Sequence, residues 1–592
     1  MTVYNFPYKD AEFLINQLLG FDRMCEEAGL EDINSELVAA ILDEAGRLGS
    51  GIIAPLNQVG DQKGATLGED GVQETPGFAD AYRQYVDSGW PSLNADEAYG
   101  GQEMPKLLGA AVAEIWQSSN LAFSLCPLLT GGAIEALTVH GSDHLKDTYL
   151  PKLVSGEWTA TMNITESAAG SDLAAVASRA VPEGDHYLVT GQKIFITWGD
   201  HQMTENIIHL VLARLPDAPA GVKGISLFLV PKYLLDENGQ PGKRNDVFCV
   251  SLEHKLGIHG SPTCVMNFGD NGGAVAYLVG EPHNGLAAMF TMMNDARQGT
   301  GMQGLSLSER SYQQALEYAK ERLQGTRSDG TRFPIIEFPD VRRMLMLMKA
   351  ATEAMRGLAY TAAAEIDRSH WAKDPQEVQQ RAARVGLYTP IVKGWITELA
   401  QEITSLGIQV HGGMGYIEET GSAQHYRDVR ITTIYEGTTG IQGLDLVGRK
   451  ILANDGEVLQ GLLDEIQATA EAMSDIDELA GQAAALKNAA GLGREARTWL
   501  LEHAGQNRNI AGGVSVNFMM LLGYICGGWV MGQSALKAAR LLEGDGGNES
   551  FLRAKLVTAQ FYTDHLLPRA GSYLATIKAG VDSIMALDVE QF

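Results

Sequence analysis

Hydrophobic periodicity changes twice along this chain. Between about residues 157 and 280 the chain consists of short β-rich runs separated by turn residues, the longest at 187–197. Segments with apolar residues at three-to-four spacing precede this block and, in longer form, follow it, for example at 302–323 and 379–406. Strands and helices do not alternate one by one, which disfavours a doubly wound nucleotide-binding sheet. The pattern predicts a mainly α chain whose central β domain is an antiparallel barrel or sandwich.

A chain of 592 residues is too long for one hydrophobic core. The changes of pattern predict an N-terminal helical domain at 1–158, a middle β domain at 159–281, a helical bundle at 282–452 and an additional helical domain at 453–592. Asp455-Gly456 and the glycine-rich run at 544–547 are predicted joints within the last domain. A long polar loop is expected at 57–77.

Charge and cysteine usage exclude several classes of protein. The formal net charge of −28 argues against nucleic acid or an anionic membrane as a general partner. The five cysteines are scattered without a CxxC pair, so neither a metal site nor a disulfide framework is expected, and a cytoplasmic location fits. Lys9, Asp10 and Glu12 interrupt the region where a signal peptide would need an apolar run, so no export is expected.

The stretch 509–536 has no charged residue, and its length alone would permit a membrane span. Six glycines and several polar residues dilute its hydrophobicity. We therefore predict a buried helix in a closely packed bundle and no membrane span.

Gly299-Thr300-Gly301-Met302-Gln303-Gly304 matches a dinucleotide-binding pattern literally. That pattern requires a preceding strand, whereas the residues before Gly299 have helical periodicity. Close helix packing is the better interpretation of these glycines.

Three stretches have compositions suited to a catalytic or ligand-binding role. Glu436 is followed by Gly437-Thr438-Thr439-Gly440, which places an acid at a chain bend, where most glutamates are simply solvated. The glycines within 409–416 would let the backbone approach a ligand closely. The run 162–172 combines small residues with hydroxyls, which suits a flat polar ring or a phosphate; an ordinary strand-to-turn transition is the alternative.

The order of these motifs over about residues 80–450 resembles that of acyl-CoA dehydrogenases, flavoenzymes that oxidise acyl thioesters. The run 162–172 resembles the family's TEPGAGSD loop, with Ser167 and Ala168 in place of Pro and Gly. The run 195–197 resembles its WIT strand, although an aromatic residue alternating in a strand is more often part of a core. The resemblance implies an N-terminal α bundle, a middle β domain and a C-terminal α bundle, followed here by an extra helical domain.

The resemblance also implies roles for individual residues. FAD would be contacted by Met162, Ile164, Thr165, Ser171, Phe195, Thr197, Arg322, Gln409, Gly412, Gly413 and Thr438. The acyl-CoA substrate would be contacted by Ser171, Asn294, Arg297 and Gly437. Some branches of the family carry the catalytic base immediately before the arginine that corresponds to Arg297, but position 296 is Ala here. Glu436 is left as the base that removes the α-proton.

The implied reaction is FAD-dependent dehydrogenation of an acyl-CoA to the trans-2-enoyl-CoA. The extra C-terminal block marks a long branch of the family and implies a short substrate such as the 3-methylthiopropionyl or another short-chain thioester. The alternatives are a medium- or long-chain acyl-CoA dehydrogenase, an acyl-CoA oxidase that uses oxygen, and a non-catalytic helical binding protein. Electron-transferring flavoprotein is the expected electron acceptor, and a homodimer or homotetramer the expected assembly.

Overall fold

A computed structural model describes residues 4–544 and 548–592, so the predicted joint at 544–547 lies outside the described residues except for Gly544. The α-helices of the described residues are α1 (Tyr8–Glu12), α2 (Phe21–Ala28), α3 (Ser35–Leu48), α4 (Leu56–Lys63), α5 (Phe78–Asp87), α6 (Lys106–Ser119), α7 (Leu121–His140), α8 (Asp143–Val154), α9 (Gly285–Glu321), α10 (Pro339–Trp371), α11 (Pro375–His411), α12 (Ser422–Val429), α13 (Thr439–Leu444), α14 (Glu457–Ser474), α15 (Ala480–His503), α16 (Ile510–Glu543), α17 (Glu549–His565) and α18 (Arg569–Lys578).

The strands of the described residues are β1 (Thr66–Gly68), β2 (Gly71–Gln73), β3 (Trp158–Asn163), β4 (Arg179–Glu183), β5 (His186–Thr197), β6 (Asn206–Arg214), β7 (Ile225–Pro231), β8 (Tyr233–Leu235), β9 (Pro241–Arg244), β10 (Val247–Leu252), β11 (Thr263–Phe268), β12 (Ala274–Val279), β13 (Leu323–Thr326) and β14 (Arg332–Pro334). Short 3₁₀ and π-helical turns connect many of these elements. Along the chain, helices precede and follow the central group of strands, which confirms the predicted fold class.

The main sheet has the strand order β10-β11-β5-β12-β7-β6-β3, and β4 pairs with both β5 and β6. Strands β4, β5, β12, β7 and β6 therefore form a closed ring, as expected of a barrel. The prediction of an antiparallel sheet is wrong at β6, because β3 runs parallel to it from Trp158 beside Asn206 to Asn163 beside Val211, and β4 pairs parallel with it at Arg179 and Arg214. The long connection between β3 and β6, which contains β4 and β5, gives the chain room for a parallel return.

The chain divides into two compact units, of which one comprises residues 45–105 and 115–299. Strands β6 and β7 of its sheet are buried on both faces, whereas β4, β5 and β10 carry exposed side chains. Ile208, Leu210 and Leu212 of β6 pack in one apolar cluster with residues of α7 and α8, whereas Val211 and Ala213 pack in a second cluster inside the ring of strands. Alternation of side chains along β6 thus fills two separate cores.

The other unit comprises residues 4–44, 106–114, 300–544 and 548–592. Within it, Gly301 and Gly304 of the dinucleotide-like pattern lie inside α9. A Cβ at Gly301 would lie 2.5 Å from Val392 Cγ1, and one at Gly304 would lie 3.1 Å from Ile396 Cγ2. The interpretation of these glycines as helix-packing residues is confirmed.

Two helices of the described residues, α7 and α16, are long and apolar enough to cross a membrane. Their most apolar windows are 67% and 72% buried by protein, as in core helices of soluble proteins. In α16, for example, a Cβ on Gly523 would overlap the ring of Trp395. The prediction that 509–536 forms a buried helix is confirmed.

The predicted loop at 57–77 is wrong. Its first part is helix α4 and its second part carries the paired strands β1 and β2. Gly60 of α4 lies against Phe78 and Gly260, at 3.2 and 3.5 Å from a Cβ built there. Tertiary packing of the helix therefore outweighs the low helix propensity of this glycine-containing polar sequence.

Candidate active site

Glu436 lies at a bend between a 3₁₀ turn, Arg430–Thr433, and helix α13. Its backbone is left-handed, with φ of 57°, and that of Gly437 follows with φ of 90°. A left-handed conformation costs a non-glycine residue about 1–3 kcal/mol and persists only where surrounding contacts impose it. The acid is thus at a bend, as expected, in a conformation that its sequence does not favour.

Two buried side chains hold this bend. Gln442 Nε2 donates to the carbonyl oxygens of Glu436 and Gly437, at 3.1 and 3.2 Å. Lys393 Nζ donates to the carbonyl oxygen of Gly437 at 2.7 Å. The three hydrogen bonds fix the orientation of both peptide groups that follow the Glu436 Cα.

Tyr435, the residue before the acid, is fixed as well. Its hydroxyl donates to Oε1 of Gln303 on α9. Desolvation raises the pKa of Tyr435, and the negative charge of the neighbouring Glu436 raises it further. The phenol therefore stays protonated near neutral pH and holds the start of the bend.

The glycine turn of the same unit begins where α11 ends at His411. Gln409, Gly412 and Gly413 are exposed, and no atom lies within 4 Å of a Cβ built on either glycine. Gly412 has φ of 59°, which suits glycine. The open backbone leaves room for a ligand to approach these residues.

Arg322 and Thr438, also in this unit, are exposed. Arg322 follows the last turn of α9 directly, and its backbone N–H donates to Tyr318 O at 2.9 Å. Thr438 is the N-cap of α13, and its hydroxyl accepts from the N–H of Ile441 at 3.3 Å. A guanidinium in such a position can bind phosphate with two parallel hydrogen bonds.

In the other unit, the loop after β3 lies beside the end of β5. Ile194 N–H donates to Thr165 O at 2.9 Å. Met162, Ile164, Thr165 and Thr197 are half-buried and Ser171 is exposed. The structure therefore brings together the residues that two separate motifs contribute.

A buried ion pair anchors this loop. Glu166 accepts hydrogen bonds from Lys193 Nζ at 2.7 Å, from Ser178 Oγ at 2.6 Å and from the N–H of Ala177 at 2.7 Å. Burial alone would raise the pKa of Glu166, but the charge of Lys193 and these hydrogen bonds outweigh it and hold the pKa below its ordinary value. Burial lowers the pKa of Lys193 to about 8, so the pair is ionised at neutral pH.

Phe195 belongs to β5, yet its side chain is 58% exposed and its φ is 61°. The interpretation of this aromatic residue as part of a core is therefore wrong. An exposed ring beside a polar loop suits stacking against a flat ligand ring.

Two of the residues expected to contact substrate, Asn294 and Arg297, lie on α9. Asn294 is exposed and accepts a 3.3 Å hydrogen bond from Arg297 Nη1, and Arg297 is buried with its guanidinium 5.8 Å from the centre of the Phe290 ring. Ala296 is buried. An arginine held in this way can present charge to a bound thioester or phosphate group.

Each unit offers residues that fit part of a flavin dinucleotide. In one unit, Phe195 and the adjacent loop suit a flat ring system. In the other unit, the open glycines and Arg322 suit a phosphate. Sequence reasoning missed the supporting residues Glu166, Lys193, Lys393 and Gln442. The only local signal for them is a charged or polar residue within an apolar run, which does not identify a partner.

Four family models match the chain. They are described as acyl-CoA dehydrogenase N-terminal domain at 65–157, middle domain at 161–271 and C-terminal domain at 283–452, and acetyl-CoA dehydrogenase C-terminal like at 462–588.

Two curated relatives match over nearly their full lengths. A 3-methylmercaptopropionyl-CoA dehydrogenase of Ruegeria pomeroyi is 46% identical, over 98% of this chain and 99% of the relative. A butyryl-CoA dehydrogenase of Syntrophomonas wolfei is 32% identical, over 100% of this chain and 99% of the relative. Among solved structures, Caenorhabditis elegans ACDH-11 in complex with C11-CoA has a TM-score of 0.78 at 21% identity, over 95% of this chain and 92% of that one, which shows a common fold.

Proposed function

The chain belongs to the acyl-CoA dehydrogenase family of FAD-dependent oxidoreductases, and from that premise we propose that it dehydrogenates a short acyl-CoA to the trans-2-enoyl-CoA. The single observation that carries the assignment of its base is the left-handed backbone of Glu436, held by Lys393 and Gln442. Strained residues of this kind cluster at active sites.

Glu436 accepts the α-proton of the bound acyl thioester. That proton is too weakly acidic for an ordinary solvated carboxylate near neutral pH. An acyl chain that covers the carboxylate removes water from it and makes it a stronger base. Asn294, Arg297, Ser171 and the backbone of Gly437 orient the acyl-CoA.

FAD, when bound, supplies the acceptor for the hydride that leaves the β-carbon. The residues proposed to hold it are Met162, Ile164, Thr165, Ser171, Phe195, Thr197, Arg322, Gln409, Gly412, Gly413 and Thr438. Arg322 binds phosphate, and the exposed ring of Phe195 covers the flat ring system.

The proposed substrate is a short acyl-CoA, including the 3-methylthiopropionyl thioester. This proposal is supported by the names of the two relatives, one acting on 3-methylmercaptopropionyl-CoA and the other on butyryl-CoA. A thioether sulfur is soft and apolar, so the methylthio chain resembles a five-atom acyl chain in an apolar pocket.

We propose electron-transferring flavoprotein as the electron acceptor, a cytoplasmic location and a homodimer or homotetramer. The free cysteines support the location, because a reducing compartment keeps thiols unpaired. Exposed apolar side chains beside the glycine turn, Met414, Tyr416 and Ile417, support a contact with a second copy.

The test of this function is Glu436→Gln, which keeps the shape of the side chain but removes its basicity. The purified protein should be yellow, retain FAD and bind acyl-CoA, and lose turnover by about 10²-fold or more. The rate of flavin reduction by substrate is measured anaerobically. Turnover is measured separately with a dye acceptor, and anaerobic turnover with the dye also separates a dehydrogenase from an oxidase. A variant that reduces its flavin at the normal rate would exclude Glu436 as the base, and a colourless protein would exclude the reaction itself.

A further inference from the structure

Lys393 of α11 and Gln442 of α13 are fully buried, 49 residues apart in sequence, and belong to none of the motifs above. Both side chains donate to carbonyl oxygens of the Glu436 bend. An ammonium group is seldom buried without a specific task, because removing it from water is costly. Here one of its hydrogen bonds goes to the residue directly after the acid.

Helix α16 lies behind both residues. Gly394, next to Lys393, has no room for a Cβ, which would overlap Sδ of Met519. Gly443, next to Gln442, lies against the backbone of α16, with 2.9 Å from a built Cβ to the carbonyl carbon of Ser515. Met519 and Ser515 are themselves buried. The helix of the additional C-terminal region is therefore in contact with the residues next to both donors.

We propose that Lys393 and Gln442 are positioning residues that hold the Glu436 carboxylate in its reactive orientation. Packing of α16 against the residues next to them fixes the positions of both side chains. This inference rests on the proposed role of Glu436 as the base. It assigns the additional C-terminal region a part in catalysis, because α16 sets the geometry of the bend through Gly394 and Gly443.

The orientation of a catalytic group affects rate more than binding. A displacement of about 1 Å can lower a reaction rate on the order of 10²-fold, whereas contacts between the rest of the substrate and the protein are unchanged. Loss of the hydrogen bonds from Lys393 and Gln442 should therefore lower kcat and leave KM and FAD content nearly unchanged. Loss of a merely structural contact would instead lower stability and FAD content, with a normal rate for each bound flavin.

The test replaces each donor by a side chain of similar length without a donor, in Lys393→Met and Gln442→Met. Each holoenzyme is measured for FAD content, melting temperature, KM and the anaerobic rate of flavin reduction in a single turnover with butyryl-CoA. We expect the reduction rate per bound flavin to fall about 10- to 100-fold, with KM within about threefold of the wild type.

A second pair of variants tests the role of α16. Gly443→Ala introduces a methyl group against the backbone of Ser515, whereas Gly448→Ala, five residues on, has no atom within 4 Å of its Cβ. Gly443→Ala should lower the reduction rate per bound flavin at nearly constant KM, and Gly448→Ala should leave it unchanged.

Wild-type reduction rates in both methionine variants, or losses that only follow lost flavin, would overturn the proposal. If Lys393→Met does not fold, Gln442→Met, which removes no charge, decides the question alone. If Glu436→Gln is inactive while Lys393→Met and Gln442→Met are fully active, the positioning role is rejected and the role of Glu436 as the base is retained. An active Glu436→Gln rejects both.

Discussion

Arg356 on α10 binds the carboxylate of Glu114 on α6 through both Nε and Nη2, at 2.7–3.1 Å, and neither side chain is exposed. Nη2 also donates to Glu309 at 2.6 Å, and Nη1 donates to Asp10. The hydroxyl of Tyr360 donates to the second oxygen of Glu114 at 2.7 Å. One guanidinium thus joins four helices of the same unit.

The first prediction concerns this network. Arg356→Met should destabilise the protein by about 3–5 kcal/mol, because it leaves buried carboxylates without their cation. Arg343→Met, on the same helix, removes only an exposed pair with Asp340 and should cost at most about 1 kcal/mol. Guanidinium denaturation followed by circular dichroism compares the two midpoints. Equal midpoints for the two variants would contradict the prediction.

The second prediction concerns Asp367, which accepts the backbone N–H groups of Lys106 at 2.6 Å and Leu107 at 2.9 Å at the start of α6. Burial raises its pKa from 3.8 to about 7, although these hydrogen bonds oppose the shift. The folded state therefore binds more protons than the unfolded state between these values. The stabilising contribution is fully present below the unfolded pKa and is lost as pH rises through about 7.

Asp367→Asn removes this titration. The stability of the wild type relative to the variant should thus be greater at pH 5 than at pH 8. Denaturation midpoints of both proteins at the two pH values measure this difference, in which the contributions of other titrating groups largely cancel. A difference that is independent of pH would show that Asp367 keeps an ordinary pKa.

The third prediction concerns the anchor of the loop at 164–172. Lys193→Met leaves the buried Glu166 carboxylate without its cation, so we expect about 3–5 kcal/mol of destabilisation and a loss of bound FAD. Gln192→Met, the adjacent residue on β5, loses only an exposed hydrogen bond to Asn267 and serves as the control. Flavin absorbance per protein and the melting temperature measure both effects. Adding Glu166→Gln to Lys193→Met should recover part of the loss, which a purely steric effect would not allow.

The fourth prediction concerns chain length. A buried methylene contributes only about 0.8 kcal/mol of binding free energy. An apolar pocket therefore discriminates between substrates that differ by a methyl-sized group by no more than about 10- to 200-fold in kcat/KM. Butyryl-, valeryl- and 3-methylthiopropionyl-CoA should therefore all be turned over, and palmitoyl-CoA should be excluded by its size. The measurement is kcat/KM for C4, C5, C8, C16 and the methylthio substrate with a dye acceptor. A maximum at C12 or beyond would assign the enzyme to long acyl chains.

The sequence by itself determined the fold class and the family, and it predicted Glu436 rather than position 296 as the base. These conclusions rest on local information: periodicity identifies helices and strands, and motifs name residue types in a fixed order. Their limit is visible at 57–77, where the local composition indicates a loop but packing of Gly60 against Phe78 stabilises a helix.

Only the tertiary structure decided how the chemically important residues are supported. The pairing of Glu166 with Lys193, the parallel placement of β3 beside β6 and the hydrogen bond from Lys393 to Gly437 each join segments that are distant in sequence. A lone lysine in an apolar helix does not reveal its partner, because that partner is a backbone carbonyl whose position depends on how two helices pack. The left-handed backbone of Glu436 likewise depends on a distant residue: Lys393 of α11, together with the nearby Gln442 of α13, stabilises a conformation that Glu436 alone disfavours.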